Sequence, residues 1–264
     1  MVLLLSIVFA LTAALVLDIL SAQRVSAHRL LDSYQEHQAA RGLQEIISQW
    51  LTTIRGQDLS ESLGEDGEAF RLRLADGSSV RVRLHEAQGR VLTNLSGLGP
   101  DDADLVLEVV RSMSESMEPE ELSTWVRSVG PLAISAQTAP AEAIKAVVAA
   151  VVPGREGRAL AETIADELLA QRRSGPIPRG RVAELSNEGG ASNDQRIRLT
   201  QLITADPVLW WITVDLFDRG PSGPASPPRV TYGGYVTFSA SGQGAGVGRP
   251  AGRFLTWQRM GPEG

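Results

Sequence analysis

Apolar positions fill the start of the chain almost without interruption: MVLLLSIVFALTAALVLDIL carries no ionisable side chain before Asp18. With Ile19 and Leu20 the run reaches the roughly 20 residues that cover about 30 Å of hydrocarbon. Beyond it apolar residues return at Val25, Leu30, Leu31 and Tyr34, then at Leu43, Ile46, Ile47, Trp50, Leu51 and Ile54. That is the three-and-four rhythm of one helix face, and no Pro interrupts it. The pattern predicts a transmembrane segment over residues 1–20 continued as helix over 21–55, and the stretch from Val2 to about Ile54 makes one helix about 75 to 80 Å long at about 1.5 Å per residue. The competing reading is a cleaved secretory signal, which expects a basic start, a shorter core and a small-x-small cleavage site. Ser21-Ala22-Gln23 is a poor version of such a site, and the helical rhythm runs on past it. The nearby cations Arg24, Arg29 and Arg41, with His28, all follow the span, so the positive-inside rule alone would place the bulk of the chain in the cytoplasm. The expected resolution is a missing basic leader, through processing or a start codon called too late, with Met1 read as a truncation rather than the biological start.

The period then changes from helical to strand-like. After the acidic stretch RGQDLSESLGEDGE, Phe70, Leu72 and Leu74 alternate with Arg71 and Arg73, Asp76-Gly77 marks a turn, and Val80, Val82 and Leu84 repeat the alternation around Arg81 and Arg83. Residues 56–94 therefore read as a loop and a β-hairpin with its apolar face on a core. The four arginines form either a basic stripe or a solvated outer face, and the flanking acids favour the solvated face.

Residues 95–205 read as short helices punctuated by Gly and Pro. Pro100-Asp101-Asp102 opens one into LVLEVVRSM, with acids in the first turn where the helix dipole favours them. Pro119-Glu120-Glu121 opens LSTWVRSV, and Thr138-Ala139-Pro140-Ala141-Glu142 has the form of an N-cap, an early Pro and a Glu ahead of AIKAVVAAVV. RALAETIADELLAQRRSG stops at Gly175-Pro176, and VAEL begins a short successor. Period two returns over residues 206–264: LWWITVDLFDRG, RVTYGGYVTFSA and RFLTWQRM, separated by PSGPASPP and GQGAGVGRPAG, predict an antiparallel meander. Trp210 and Trp211 face opposite sides of a strand, so at least one of Trp210, Trp211 and Trp257 belongs to the core rather than to a ligand platform.

Composition narrows the chemistry. The absence of Cys among 264 residues excludes disulfides, thiol nucleophiles and thiolate zinc sites, and a net charge of −6 offers no overall pull toward nucleic acid. Three His in no metal-spaced cluster leave Asp101, Asp102 and Asp104, or Glu118, Glu120 and Glu121, as the only acidic candidates for catalysis or for calcium, a hard cation that takes oxygen ligands. Capping and dipole effects account for acids at helix starts, so no catalytic, cofactor or metal residue is assigned, and an enzyme is not expected. Two helices joined through Pro153-Gly154-Arg155-Glu156-Gly157, with Arg172-Arg173 near the end, resemble a helix-hairpin-helix unit. A membrane-tethered DNA-binding or DNA-uptake protein is therefore the alternative function.

The order of parts resembles the K-type minor pseudopilin of bacterial type II secretion systems, and three stretches carry the resemblance. His85-Glu86-Ala87-Gln88-Gly89-Arg90-Val91-Leu92-Thr93-Asn94 is similar to the family's acidic-x-x-Gly-Arg-Ile-Asn-Leu-Asn strand, with only Asn94 of its asparagines kept. Leu132-Ala133-Ile134-Ser135-Ala136-Gln137-Thr138-Ala139-Pro140-Ala141-Glu142 is similar to its Ile-Asn-Val-Asn-Thr-Ala-Pro-x-Glu segment, again with the first two asparagines replaced. AQRRSGPIPRGRVAEL, from Ala170 to Leu185, and the ending FLTWQRM match its late helix turn and final strand. The resemblance implies an α+β, pilin-like fold, a long transmembrane and stalk helix packed on an antiparallel sheet with a large all-helical insertion. It also implies a single-pass subunit of the bacterial inner membrane with its head in the periplasm, where it caps or initiates the pseudopilus tip with other minor pseudopilins and the assembly machinery. Calcium enters only through the resemblance, with no ligand set to assign. The span lacks an acid before Asp18, and the K type is similar in lacking the usual Glu near its start.

Overall fold

The computed structural model describes residues 34, 37–53, 63–75, 77–218, 227–238 and 252–261. The chain divides into two compact units, Met1–Trp50 and Leu51–Gly264. The expected transmembrane segment 1–20, the turn residue Asp76 and most of the two Gly- and Pro-rich C-terminal loops lie outside the described residues. Among those described, no helix is long and apolar enough to cross a membrane.

In the first unit the described residues are helical, and residues 51–53 at the start of the second are helical as well. Ile47 is buried as its place on the apolar face requires, whereas Ile46, expected on the same face, is 56% exposed. A turn of 100° per residue separates these neighbours, so only one of them can sit at the centre of the stripe. Leu51, which opens the second unit, is fully buried.

The second unit is α+β. Its main sheet is antiparallel in the order β1 (Glu68–Arg73), β2 (Ser79–Glu86), β7 (Leu209–Phe217), β8 (Val230–Phe238) and β10 (Gln258–Met260), and β9 (Gly252–Phe254) also pairs with β8. Val82 sits opposite Val214, which sits opposite Tyr232, so one row of apolar side chains crosses three strands on one face. The hairpin forms where the alternation places it, but Leu72 and Leu74 are 42% and 41% exposed rather than on the core. Among the described residues β1 is the sheet edge, with no strand beyond it to continue the apolar floor. The expected final strand is split in two. The amides of Leu255 and Thr256 both donate to the Tyr235 carbonyl, at 2.8 and 3.3 Å, and the Tyr235 amide donates to Thr256 Oγ1 at 2.9 Å. Two residues opposing one make a bulge that breaks the ladder between β9 and β10.

Everything between β2 and β7 is an insertion between two neighbouring strands of one sheet. It contains α1 (Pro100–Ser116), α2 (Pro119–Thr124), α3 (Ala141–Val151), α4 (Arg155–Ser174), α5 (Arg181–Glu188) and α6 (Asn193–Leu202). The central helix is α3, whose AEAIKAVVAAV is apolar nearly all round. It buries Ala143, Ile144, Ala146, Val147 and Val148 among α1, α4 and α6. The insertion is not all-helical. Two short parallel ladders run through it, β3 (Val91–Leu92) with β4 (Val126–Arg127) and β5 (Ile134–Ser135) with β6 (Ile203–Thr204). They correct the reading of LSTWVRSV as helix: α2 ends at Thr124, and the β-branched Val126 pairs with Val91 instead.

Candidate functional site

The first two stretches of the resemblance and the late helix turn are distant in sequence and meet at one place, where the insertion joins the sheet, while the ending FLTWQRM contributes to β9 and β10. β2 ends at Glu86, and the chain turns through Ala87, Gln88 and Gly89. Thr138 Oγ1 donates to Glu86 Oε1 at 2.6 Å, and the Ser135 amide donates to the Gln88 carbonyl at 3.0 Å. A Cβ on Gly89 would lie 2.5 Å from Thr138 Oγ1 and 2.7 Å from its carbonyl carbon, so only glycine lets the two segments approach this closely. The third stretch closes the knot. Arg172 Nε donates to the Ala136 carbonyl at 2.7 Å, while Gln137 exchanges two bonds with Ile177, its Nε2 to the carbonyl at 3.3 Å and its Oε1 from the amide at 3.2 Å. Thr138 is thus spent on Glu86 and does not cap α3. The N-cap position falls to Pro140, with no side-chain cap.

Two buried polar side chains lock the junction to its neighbours. Gln88, 1% exposed, accepts through Oε1 from the amides of Val208 at 2.7 Å and Leu209 at 3.1 Å, fixing the turn to the strand that leaves the insertion. Arg127, 3% exposed, donates to the carbonyls of Arg90 at 2.8 Å, Val129 at 2.7 Å, Ala133 at 3.2 Å and Pro131. Burial pulls its guanidinium down to about 10, against a smaller opposing pull from Tyr235. Glu86 moves the other way: burial raises its carboxyl above the ordinary 4.5, while hydrogen bonds from Ser135 and Thr138 and the charge of Arg172 oppose the rise.

A second polar cluster lies on the sheet face opposite the apolar row. Asp215, 1% exposed, accepts from Arg81 Nε at 3.2 Å and Nη2 at 2.9 Å, from Arg83 Nη2 at 2.9 Å and from Thr231 Oγ1 at 2.9 Å. The four hairpin arginines therefore divide. Arg81 and Arg83 are held by a buried carboxylate, and only Arg71 and Arg73 keep the solvated face that the sequence suggests. Asp215 was legible as the lone acid in LWWITVDLF, but nothing in one strand says which cations stand opposite it.

The acidic candidates fall into two groups. Asp101, Asp102 and Asp104 line an open cleft of about 830 Å³ with Glu108, Asp194 and Arg198, and Asp102 is ion-paired with Arg198. Glu118 is the N-cap residue of α2 without a side-chain cap bond, and Glu120 and Glu121 are exposed in its first turn. Among the described residues no three acidic, His or Cys side chains gather closely enough to hold a metal ion. Asn94, the asparagine that matches the resembled strand pattern, accepts from the Ser96 amide at 2.9 Å and shapes a local turn. The tryptophans do not form one platform: Trp210 is buried, Trp211 meets Tyr235 edge-on with centroids 4.8 Å apart, and Trp257 stacks on Tyr232 at 5.4 Å.

No family model matches the chain, and no curated protein matches it. Among solved structures it is similar to a chain of the crystal structure of the GspK-GspI-GspJ complex from the type 2 secretion system of enterotoxigenic Escherichia coli. The TM-score is 0.42 and the identity 14%, over 87% of this chain and 98% of that one.

Proposed function

We propose that this chain is a minor pilin-like subunit of a type II secretion pseudopilus, which acts by assembly rather than by catalysis. The observation that carries the reading is the junction. The first two stretches resembling the K-type pseudopilin and the late helix turn form one bonded unit, in which Glu86 meets Thr138, Arg172 meets Ala136 and Gln137 meets Ile177. Such a unit ties the helical insertion to the sheet through side-chain and backbone bonds. In this reading residues 1–20 anchor the chain singly in a bacterial inner membrane, the head lies in the periplasm, and it joins other minor pseudopilins to cap or initiate the filament tip.

The test is co-expression of the full chain with the pilin-like proteins encoded beside it, followed by affinity purification in detergent. Recovery of a stoichiometric complex is the expected result. Failure to bind any of them, together with tight, salt-sensitive binding to duplex DNA that Arg173→Ala abolishes, would replace the reading with the helix-hairpin-helix alternative. Arg172 is a poor probe for that alternative, because its Nε is already committed to the Ala136 carbonyl.

A further inference from the structure

The edge of the main sheet is open at β1, which among the described residues pairs only with β2. Its backbone direction can be read from the hairpin. The Leu74 amide donates to the Ser78 carbonyl at 2.8 Å, so alternation along the antiparallel ladder turns Leu72 and Phe70 toward β2 and turns the amide and carbonyl groups of Arg71 and Arg73 outward. The side chains there are also exposed: Arg71 through Leu74 all face solvent, Leu72 at 42% and Leu74 at 41%. Arg71 is ion-paired with Glu68 at 2.9 Å, while Arg73 stands opposite Ser79 and, among the described residues, is paired with no acid.

Long edges with alternating side chains are templates for another strand, and charge at the edge decides which strand is admitted. A second copy pairing edge to edge would bring Arg71 and Arg73 against the same arginines, and like charges placed opposite one another are destabilising. An acidic strand meets the opposite condition. Residues opposite Arg71 and Arg73 would form main-chain pairs and ion pairs at the same positions, and the residues between them would cover Leu72 and Leu74.

We infer that β1 is a docking edge for an extended segment of a partner protein in which acidic and apolar residues alternate, added antiparallel as the next strand of the sheet. The inference goes beyond the assembly role and does not depend on it. The probe is a short fluorescent peptide alternating glutamate and valine, titrated by anisotropy into the full chain in detergent. Saturable binding is expected. It should weaken about five-fold in Arg73→Glu, from the reversal of one cross-strand charge pair. It should vanish for a peptide N-methylated along its pairing edge, which keeps the side chains but removes the donors. The methylated peptide is tested on the unaltered protein, so misfolding of the variant cannot mask the answer. No binding, equal binding of the methylated peptide, or equal binding of a lysine-for-glutamate peptide would each overturn the proposal.

Discussion

At the residue scale the structure turns on buried polar groups that the hydrophobic pattern passes over. Arg127 carries its charge into the interior and spends it on four carbonyls, of Arg90, Val129, Pro131 and Ala133. Arg127→Met keeps the volume but leaves those carbonyls without a donor, so it should cost roughly 2–4 kcal/mol in chemical denaturation despite removing a buried charge. Glu86 presents the opposite balance. Because burial raises its folded-state pKa above 4.5, the folded chain holds that proton more tightly than the unfolded one. Its contribution to stability is therefore full below about pH 4.5 and is lost as pH rises through the raised value. Glu86→Gln keeps an oxygen for the Thr138 hydroxyl without a charge to desolvate. Thermal unfolding should find the variant more stable than the parent at pH 7, with the difference closing toward pH 4.

At the scale of elements, the helical insertion depends on a tight connection between α3 and α4. Gly157 lies in the first turn of α4, where an added Cβ would fall 1.5 Å from the Val152 carbonyl oxygen. Backbone, not a movable side chain, fills that space. Gly157→Ala should therefore destabilise by about 2–4 kcal/mol, measured by urea unfolding, and hydrogen exchange should localise the loosening to α3 and α4. The better-marked elements need no such help: α1 starts at Pro100 as its acids and Pro indicate, and α4 stops at Ser174 before Gly175. α6 begins at a capping box, Ser192 with Gln195, which the sequence reading does not single out.

At the scale of the whole molecule the apolar N-terminus sets the prediction. A charge at mid-bilayer costs about 2.5 to 3.5 kcal/mol on insertion scales. Leu11→Arg should impair membrane insertion or filament assembly in fractionation and secretion assays, while circular dichroism of the head stays native. A fully anchored, fully active variant would show that residues 1–20 do not act as the span.

Local spacing was enough to read the hairpin, the strand-like C-terminal runs and most helix starts, because period, turn residues and caps act within a few positions of themselves. The sequence also held all three stretches of the junction, but as separate strings. Only the tertiary structure brought Glu86 to Thr138 and Arg172 to Ala136, since those contacts span 52 and 36 positions. The same holds for Asp215, whose partners Arg81 and Arg83 lie more than a hundred residues away across a β ladder. Exposure of Leu72 and Leu74 was likewise undecidable from alternation, which says that two faces differ but not whether another layer covers either one. Pattern fixes what each segment can form. Which polar groups must be satisfied together, and which edge stays open, is settled by long-range packing that no local rule contains.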